Sequence, residues 1–217
     1  HFDLQPLQRI KKYVFETCYN YYLIMSTLLL KITYGLFMFV YFLIRRPYEK
    51  SNKSNKIIHD QKDKVEKTTL VLVSVGMMLL PLTFIFTDLL SFADYSLPLG
   101  LHITGITIMI ISAWLFYRSH KDLGKNWSVT LEIREEHKLI SSGVYSRIRH
   151  PMYTAIWLWE IGQALLLNNF IAGLSGILFF GLLYFLRVGQ EEKMMEANFG
   201  DQYIQYKSQT GRLIPKF

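Results

Sequence analysis

Hydrophobic residues along this 217-residue chain fall into long blocks, and the polar stretches between the blocks carry most of the charge. A hydrocarbon core about 30 Å thick needs roughly 20 helical residues to cross it. Five blocks reach or approach that length, at residues 22–44, 70–90, 99–117, 152–167 and 170–186. The pattern therefore predicts an all-α, polytopic integral membrane protein with about five transmembrane helices, in which residues 1–217 form a single membrane domain.

Three local features refine this prediction. Pro81 predicts a kink in the second block. Only Asn168 and Asn169 separate the last two blocks, so these blocks are expected to form an antiparallel helical hairpin. The stretch 187–206 is rich in Glu, Lys, Met and Gln, and it predicts a C-terminal cytoplasmic helix that breaks or bends at Gly200.

Basic residues predict how the chain is oriented. The connections 45–67 and 118–149 are rich in Lys and Arg, whereas the connections 91–98 and 168–169 contain neither. The positive-inside rule places the basic connections, and the tail from Arg187 onward, in the cytoplasm. The net charge of +7 is then explained by anionic lipid headgroups, and no nucleic-acid partner is expected.

The N-terminal residues fit this topology poorly. Five crossings place the N-terminus outside, where Arg9, Lys11 and Lys12 would lie. We therefore expect residues 1–21 to be either an interfacial helix or a non-native end. Cys18 is the single cysteine, so no internal disulfide is expected, and no Cys/His cluster has the spacing of a metal site.

The most distinctive polar stretch, HKLISSGVYSRIRHPMY, leads into the fourth block. Pro151 suits the first turn of a helix, because its missing N–H costs nothing there. The amides of Met152 and Tyr153 would then point outward at the positive end of the helix dipole, next to Arg149 and His150. This arrangement suits a carboxylate or phosphate. The alternative is a basic membrane anchor whose helix begins with proline.

Two acidic features lie near or within the membrane. Arg187 and Glu191 are four residues apart at the end of the fifth block, so they share a helix face. A carboxylate this close to the bilayer needs a partner or a ligand, and the alternative is an exposed ion pair of little energetic value. Glu160 lies inside the fourth block, where it is a functional candidate or a hydrogen-bonded group of the bundle.

Together these stretches resemble the isoprenylcysteine carboxyl methyltransferase family. The residues that carry the resemblance are Arg149, His150, Pro151 and Tyr153, then Arg187, Glu191 and Glu192, and finally Phe199, Gly200, Tyr203 and Tyr206. The stretch HKDLGKNWS at 120–128 is similar to small archaeal and bacterial members, and the resemblance covers roughly residues 65–217. Ala155 stands where the family often has glycine, and it is still small.

The resemblance implies S-adenosylmethionine as methyl donor and S-adenosylhomocysteine as product. It implies a cytoplasmic pocket formed by residues 118–151 and 187–217. Adenosine would contact His137, Lys138, Leu139 and Ile140; the methionine end would contact Tyr145, His150, Pro151, Met152 and Tyr153, with Glu191 at the ammonium. Arg187 would be the catalytic residue, facing the carboxylate of a prenylcysteine or similar lipid-linked acceptor that arrives from the bilayer. A monomer surrounded by membrane lipids is expected.

Other functions place different demands on the chain. A carboxylate acceptor is ionised at pH 7 and needs no general base, so the protein has to align the reactants and exclude water. A lipid amine must lose a proton, and Glu160, Glu192 and His120 are the candidate bases; a small thiol is a further alternative acceptor. A related reductase would need a nicotinamide site, which the sequence does not indicate. A non-enzymatic membrane scaffold would not explain the His, Tyr, Arg and Glu residues gathered at one face.

Overall fold

The computed structural model describes residues 5–52, 57–60, 64–126, 132–134 and 138–216. Its helices are α1 (Gln5–Asn52), α2 (Lys64–Ser74), α3 (Leu80–Phe86), α4 (Leu99–Leu123), α5 (Pro151–Leu167), α6 (Phe170–Phe199) and α7 (Asp201–Gln209). Short 3-10 turns occupy Ser91–Ala93, Gly124–Asn126 and Gly143–Ser146. Strands β1 (Ile57–Asp60) and β2 (Glu132–Arg134) form a small antiparallel ribbon, which the all-α prediction did not include.

Four stretches of helix are long and apolar enough to cross a membrane: Met25–Glu49, Lys64–Phe86, Leu99–Leu123 and Phe170–Phe199. They coincide with four of the five predicted blocks, so the chain is an integral membrane protein. The remaining block is α5, whose 17 residues give about 25 Å of helix. That is shorter than a hydrocarbon core of about 30 Å, so a total of five transmembrane helices stays a prediction.

Helix α1 joins the predicted N-terminal segment to the first span. The helix runs from Gln5 to Asn52 as one element of 48 residues, which corresponds to roughly 70 Å. Its N-terminal part is therefore a direct continuation of the span. The expectation that residues 1–21 are interfacial or non-native stays a prediction, and residues 1–4 lie outside the described part of the chain.

The kink predicted at Pro81 stays a prediction, but the helix is irregular just before this residue. A π-helical turn at Val75–Leu79 leads directly into α3, whose second residue is this proline. Such turns arise where the regular hydrogen-bond ladder is interrupted, and proline interrupts it because it lacks an N–H group. The carbonyl of Gly76 accepts hydrogen bonds from Gln163 Nε2 at 3.1 Å and from Ser175 Oγ at 2.9 Å. Side chains of α5 and α6 therefore stabilise the widened turn.

The helical hairpin predicted at Asn168 and Asn169 is confirmed. Asn168 adopts the left-handed conformation with φ of 48°, and Asn169 caps α6 by accepting hydrogen bonds from two amides of its first turn. The Asn169 side-chain amide also donates to the carbonyl of Leu90 at 2.7 Å and to Asp94 Oδ1 at 2.6 Å. These bonds connect the hairpin turn to the loop that precedes α4.

The C-terminal part of α6 contains the first part of the stretch 187–206, which is predicted to be helical. Helix α6 continues without interruption from Phe170 to Phe199, so this part and the fifth block form one helix. The predicted break at Gly200 is confirmed, because this residue has a φ of 53° and separates α6 from α7. Arg187 and Glu191 therefore extend from the membrane span on one continuous helix.

The helices pack in two groups around α5. Helix α1 packs against α4 and α5, whereas α2 packs against α6. The hairpin of α5 and α6 joins the groups, and the start of α5 lies near the end of α6. Residues that are distant in sequence are thereby collected at this end of the bundle.

Candidate active site

A cavity of about 590 Å³ lies where α5 begins and α6 nears its end. Nine of the eleven predicted site residues line it: Lys138, Leu139, Ile140, Tyr145, His150, Met152, Tyr153, Arg187 and Glu191. Pro151 begins α5 as predicted, but it is fully buried and is not among the lining residues. His137 lies outside the described residues. The structure therefore gathers most of the predicted site in one place.

The other section of the cavity is apolar. It lies between the group of α1, α4 and α5 and the group of α2 and α6, and its walls include Met38, Phe42, Leu70, Val73, Met77, Met78, Phe180 and Leu183. Phe42 is 54% exposed and Met78 is 53% exposed. The apolar section is therefore open at these two side chains.

The two motifs recognised in the sequence contact each other in the polar section of the cavity. The Tyr153 hydroxyl donates a hydrogen bond of 2.5 Å to Glu191 Oε2, and His150 Nδ1 lies 3.7 Å from Glu191 Oε1. Arg187 Nε lies 3.9 Å from Glu191 Oε2, so the predicted i,i+4 pair is present. The Glu191 side chain is 29% exposed, and it presents a carboxylate to the cavity.

Glu192 has a different environment, although it is the next residue in the chain. Its side chain is only 4% exposed, and Arg212 binds it through two nitrogens at 3.0 and 2.7 Å. Arg149 Nε and His150 Nε2 each lie 3.3 Å from Glu192 Oε1, and Lys207 Nζ lies 3.5 Å from Oε2. The hydrogen bonds to Glu192 raise the pKa of Arg212 above its usual value. Glu192 therefore holds the C-terminal segment in place.

Backbone hydrogen bonds attach the same C-terminal segment to the chain before α5. The Arg149 amide donates to the Gly211 carbonyl at 2.8 Å, and the His150 amide donates to the Arg212 carbonyl at 3.1 Å. The Thr154 hydroxyl adds a hydrogen bond of 2.7 Å to the Leu213 carbonyl. Sequence reasoning missed Arg212 and the contacts of Lys207, because the recognised motif ends before them.

Two tyrosines of α7, Tyr203 and Tyr206, form part of the same wall. The Tyr206 hydroxyl donates a hydrogen bond of 2.7 Å to the Tyr145 carbonyl. Burial raises the pKa of Tyr206 to about 12 and also raises the pKa of Tyr203, so both phenols are neutral near pH 7. They form this wall without adding charge.

The loop between α4 and α5 is held by side chains that the sequence did not single out. Asn126 Oδ1 accepts a hydrogen bond of 3.1 Å from the Lys138 amide, and Asp122 Oδ2 accepts one of 2.9 Å from the Val144 amide. Gly143 has a φ of 62°, and a Cβ there would lie 2.1 Å from Asp122 Oδ2, so only glycine fits. The resemblance over residues 120–128 was the available signal for these contacts.

Arg187 also has a partner that the sequence did not reveal. Its Nη1 lies 3.5 Å from Glu66 Oε1, and Glu66 is only 7% exposed on α2. Glu66 is in a charged stretch before the second block, where exposure to solvent is the ordinary expectation. The packing of α2 against α6 brings the two side chains together.

Two of the candidate bases for an amine acceptor, Glu160 and His120, differ in whether they line the cavity. Glu160 is fully buried, it is not among the lining residues, and neither of its oxygens has a hydrogen-bond partner among the described residues. Its carboxylate lies against α6 so closely that a Cβ at Gly176 would be 1.4 Å from Oε2. His120 lines the cavity, with Nδ1 2.9 Å from the Phe116 carbonyl. Among the described residues, no group of three or more His, Cys, Asp or Glu side chains suits a metal ion.

These features define an integral membrane protein with one cavity that is charged at one end and apolar at the other. Residues 103–197 match the model of the isoprenylcysteine carboxyl methyltransferase family. This matched stretch contains most of the motif recognised in the sequence. The resemblance drawn from the motif is therefore confirmed for this part of the chain.

Individual relatives agree with the family match. The protein-S-isoprenylcysteine O-methyltransferase of Saccharomyces cerevisiae is 34% identical over 139 residues, covering 61% of this chain and 56% of the yeast protein. The protein of the same name from Homo sapiens is 31% identical, covering 53% of this chain and 41% of its own length. Protein-S-isoprenylcysteine O-methyltransferase B of Arabidopsis thaliana is 28% identical, covering 51% of this chain and 57% of its own length. The chain thus spans about half the length of these curated relatives.

A solved structure of a eukaryotic intramembrane Ras methyltransferase, an isoprenylcysteine carboxyl methyltransferase, is 25% identical to this chain. The similarity covers 70% of this chain and 50% of that chain, with a TM-score of 0.48.

Proposed function

We propose that this chain is an S-adenosylmethionine-dependent methyltransferase that methylates the C-terminal carboxylate of an isoprenylated cysteine or a similar lipid-linked acceptor. The observation that carries the proposal is the single cavity in which a charged section meets an apolar one. A prenylcysteine has the same two parts, a carboxylate and a long hydrocarbon chain. The names of the relatives support this substrate class.

The residues of the polar section fit the methyl donor. A volume of about 590 Å³ lies within the range of roughly 300–1,000 Å³ that is typical of small-molecule sites. The Glu191 carboxylate suits an ammonium group, and the start of α5 with His150 suits a carboxylate. When bound, the donor supplies a methyl group on a positively charged sulfur, which is already activated for attack.

Arg187 is the residue that would orient the acceptor. It lines the cavity on the same helix as Glu191, one turn nearer the apolar section, and its guanidinium can bind a carboxylate through two nitrogens. An ionised carboxylate needs no general base, so alignment and exclusion of water are the main tasks of the protein. This agrees with the position of Glu160, which is a buried carboxylate beyond the lining of the cavity.

A prenyl chain would reach the site sideways from lipid. Phe42 on α1 and Met78 in the π-helical turn line the apolar section, and each is about half exposed. The chain could therefore pass between these helices while its carboxylate stays at the polar end. Lipid tails are as apolar as this section, so the section would fix the position of the prenyl chain rather than supply a large hydrophobic gain.

The polar end of the cavity faces the cytoplasm in this proposal, where the water-soluble donor is available. The Lys and Arg residues of the connections 45–67 and 118–149 support this orientation.

Calorimetry with S-adenosylhomocysteine on the detergent-solubilised chain tests the cofactor. Saturable binding is expected. If the folded protein does not bind S-adenosylhomocysteine, the proposal is wrong. Methyl transfer to farnesylated cysteine is then compared with transfer to a lipid amine. Methylation of the amine alone would keep the methyltransferase and reject the carboxylate acceptor.

A further inference from the structure

We infer that Glu66 is a positioning residue for Arg187, which it draws away from Glu191. The consequence is that the Glu191 carboxylate stays available for the ammonium of the methyl donor, and the guanidinium stays available for the carboxylate of the acceptor. This inference rests on the proposed function, because it assigns separate tasks to two groups of the same site.

The guanidinium of Arg187 lies between two carboxylates with different surroundings. Nη1 is 3.5 Å from Glu66 Oε1, whereas Nε is 3.9 Å from Glu191 Oε2. Glu191 lines the cavity and its side chain is 29% exposed. Glu66 is not among the lining residues, and its side chain is 6% exposed. One carboxylate therefore belongs to the cavity and the other to the packing between α2 and α6.

Competition between these carboxylates follows from the position of Arg187. Its side chain is 11% exposed, so its attraction to a carboxylate is stronger than in water. A guanidinium cannot lose its charge in a protein, and spacing of i,i+4 on α6 makes Glu191 an easy partner. A tight pair of Arg187 with Glu191 would neutralise the acid that the donor requires. Glu66 supplies a competing carboxylate at the shorter distance.

The position of Glu66 is itself well determined. It lies in the first turn of α2, where its carbonyl accepts a hydrogen bond of 3.0 Å from the Thr69 hydroxyl, and α2 packs against α6. Residue 66 is outside the stretch 103–197 that matches the family model, so the family match assigns it no role. Removal of its charge should release the guanidinium toward Glu191.

A double-mutant cycle tests the inference on the full chain in lipid nanodiscs. The four proteins are wild type, Glu66→Gln, Arg187→Gln and the double variant, and the readouts are affinity for S-adenosylhomocysteine, KM for farnesylated cysteine and kcat. Glu66→Gln is expected to weaken the product affinity and raise KM, each about tenfold, with a smaller change in kcat. In the Arg187→Gln background, Glu66→Gln should change the affinity less than about twofold.

Two further variants complete the experiment. Glu66→Asp keeps the negative charge but moves it farther from Arg187, because the side chain is one CH₂ shorter. Affinity for S-adenosylhomocysteine should therefore fall about threefold, and this loss should vanish in the Arg187→Gln background. This variant serves as the test if Glu66→Gln does not fold. Asp94→Asn, which removes a carboxylate in the loop before α4, should leave affinity unchanged.

The outcomes separate this inference from the proposed function. Equal losses with and without Arg187 would mean that Glu66 only stabilises the fold, and an unchanged affinity in both Glu66 variants would also overturn the inference. If the wild-type protein itself does not bind S-adenosylhomocysteine, the proposed function fails first, and the inference fails with it.

Discussion

The two ends of the α5–α6 hairpin both carry polar groups, but they use them differently. At the turn, Asn169 caps α6 and bonds Leu90 and Asp94, while the Tyr95 hydroxyl donates to the Ala164 carbonyl at 2.5 Å. These groups satisfy one another and the backbone. At the open end, arginines and glutamates are concentrated around a cavity of about 590 Å³.

The comparison shows how a structural polar network differs from a binding site. The turn uses mainly neutral groups, whose hydrogen bonds stabilise the hairpin with little cost for burying charge. At the open end, only some charges are satisfied internally. Glu192 is surrounded by the cationic side chains of Arg149, Lys207 and Arg212, whereas its neighbour Glu191 is partly exposed to the cavity. Changes at the turn should therefore affect stability, and changes at the open end should affect ligands.

The largest effect is expected for Arg187→Ala at the open end. Under the proposed function Arg187 orients the reacting carboxylate, so its loss should lower turnover about 1,000-fold, while affinity for S-adenosylhomocysteine changes less than about threefold. Turnover of farnesylated cysteine and calorimetry measure the two quantities. A loss of product binding similar to the loss of turnover would show that Arg187 serves the donor instead.

Glu191→Ala should have the next largest effect. Removal of one partner of a partly buried ion pair costs about 2–5 kcal/mol, so affinity for S-adenosylhomocysteine should fall at least about 30-fold. Glu196→Ala is the matched control on the same helix, since Glu196 is not among the lining residues, and it should keep wild-type affinity. Equal affinities in both variants would contradict the ammonium role of Glu191.

Asn169→Ala at the turn should lower the stability of the fold and leave ligand binding unchanged. Loss of the helix cap should destabilise the fold by about 1–2 kcal/mol, which a lower midpoint of thermal unfolding in detergent would report. Affinity of the folded protein for S-adenosylhomocysteine should not change. Asn168→Gly is the control, because glycine accepts the left-handed conformation at that position without strain. Weaker binding by Asn169→Ala would mean that the two ends are coupled.

Glu160→Gln should have the smallest effect. Glutamine has the shape of glutamate without a charge, and burial of an ionised carboxylate within a helical bundle is costly, so the midpoint of unfolding should equal or exceed that of wild type. Turnover should stay within about twofold, because the side chain is not among those that line the cavity. A large drop in turnover with normal stability would instead give Glu160 a part in the chemistry.

The sequence was sufficient where local spacing decides the structure. Long apolar blocks predicted the candidate spans, and Asn168 with Asn169 predicted the hairpin. Once the hairpin is antiparallel, residues just before α5 and near the end of α6 must lie at the same end of the bundle. That constraint explains why Tyr153 and Glu191 meet as the motif indicated.

Other features depend on how separate helices pack, and sequence spacing does not contain that information. The ion pair of Glu66 with Arg187 requires α2 to pack on α6. The ion pair of Arg212 with Glu192 requires the C-terminal segment to return to the start of α5. The continuity of the fifth block with the stretch from Arg187 was not predicted, although a change in composition need not interrupt a helix. The sequence by itself therefore determined the membrane class and the two facing motifs, since both follow from spacing along one chain. Only the tertiary structure decided which charges are satisfied and which remain at the cavity, because burial and ion pairing arise from contacts between elements distant in sequence.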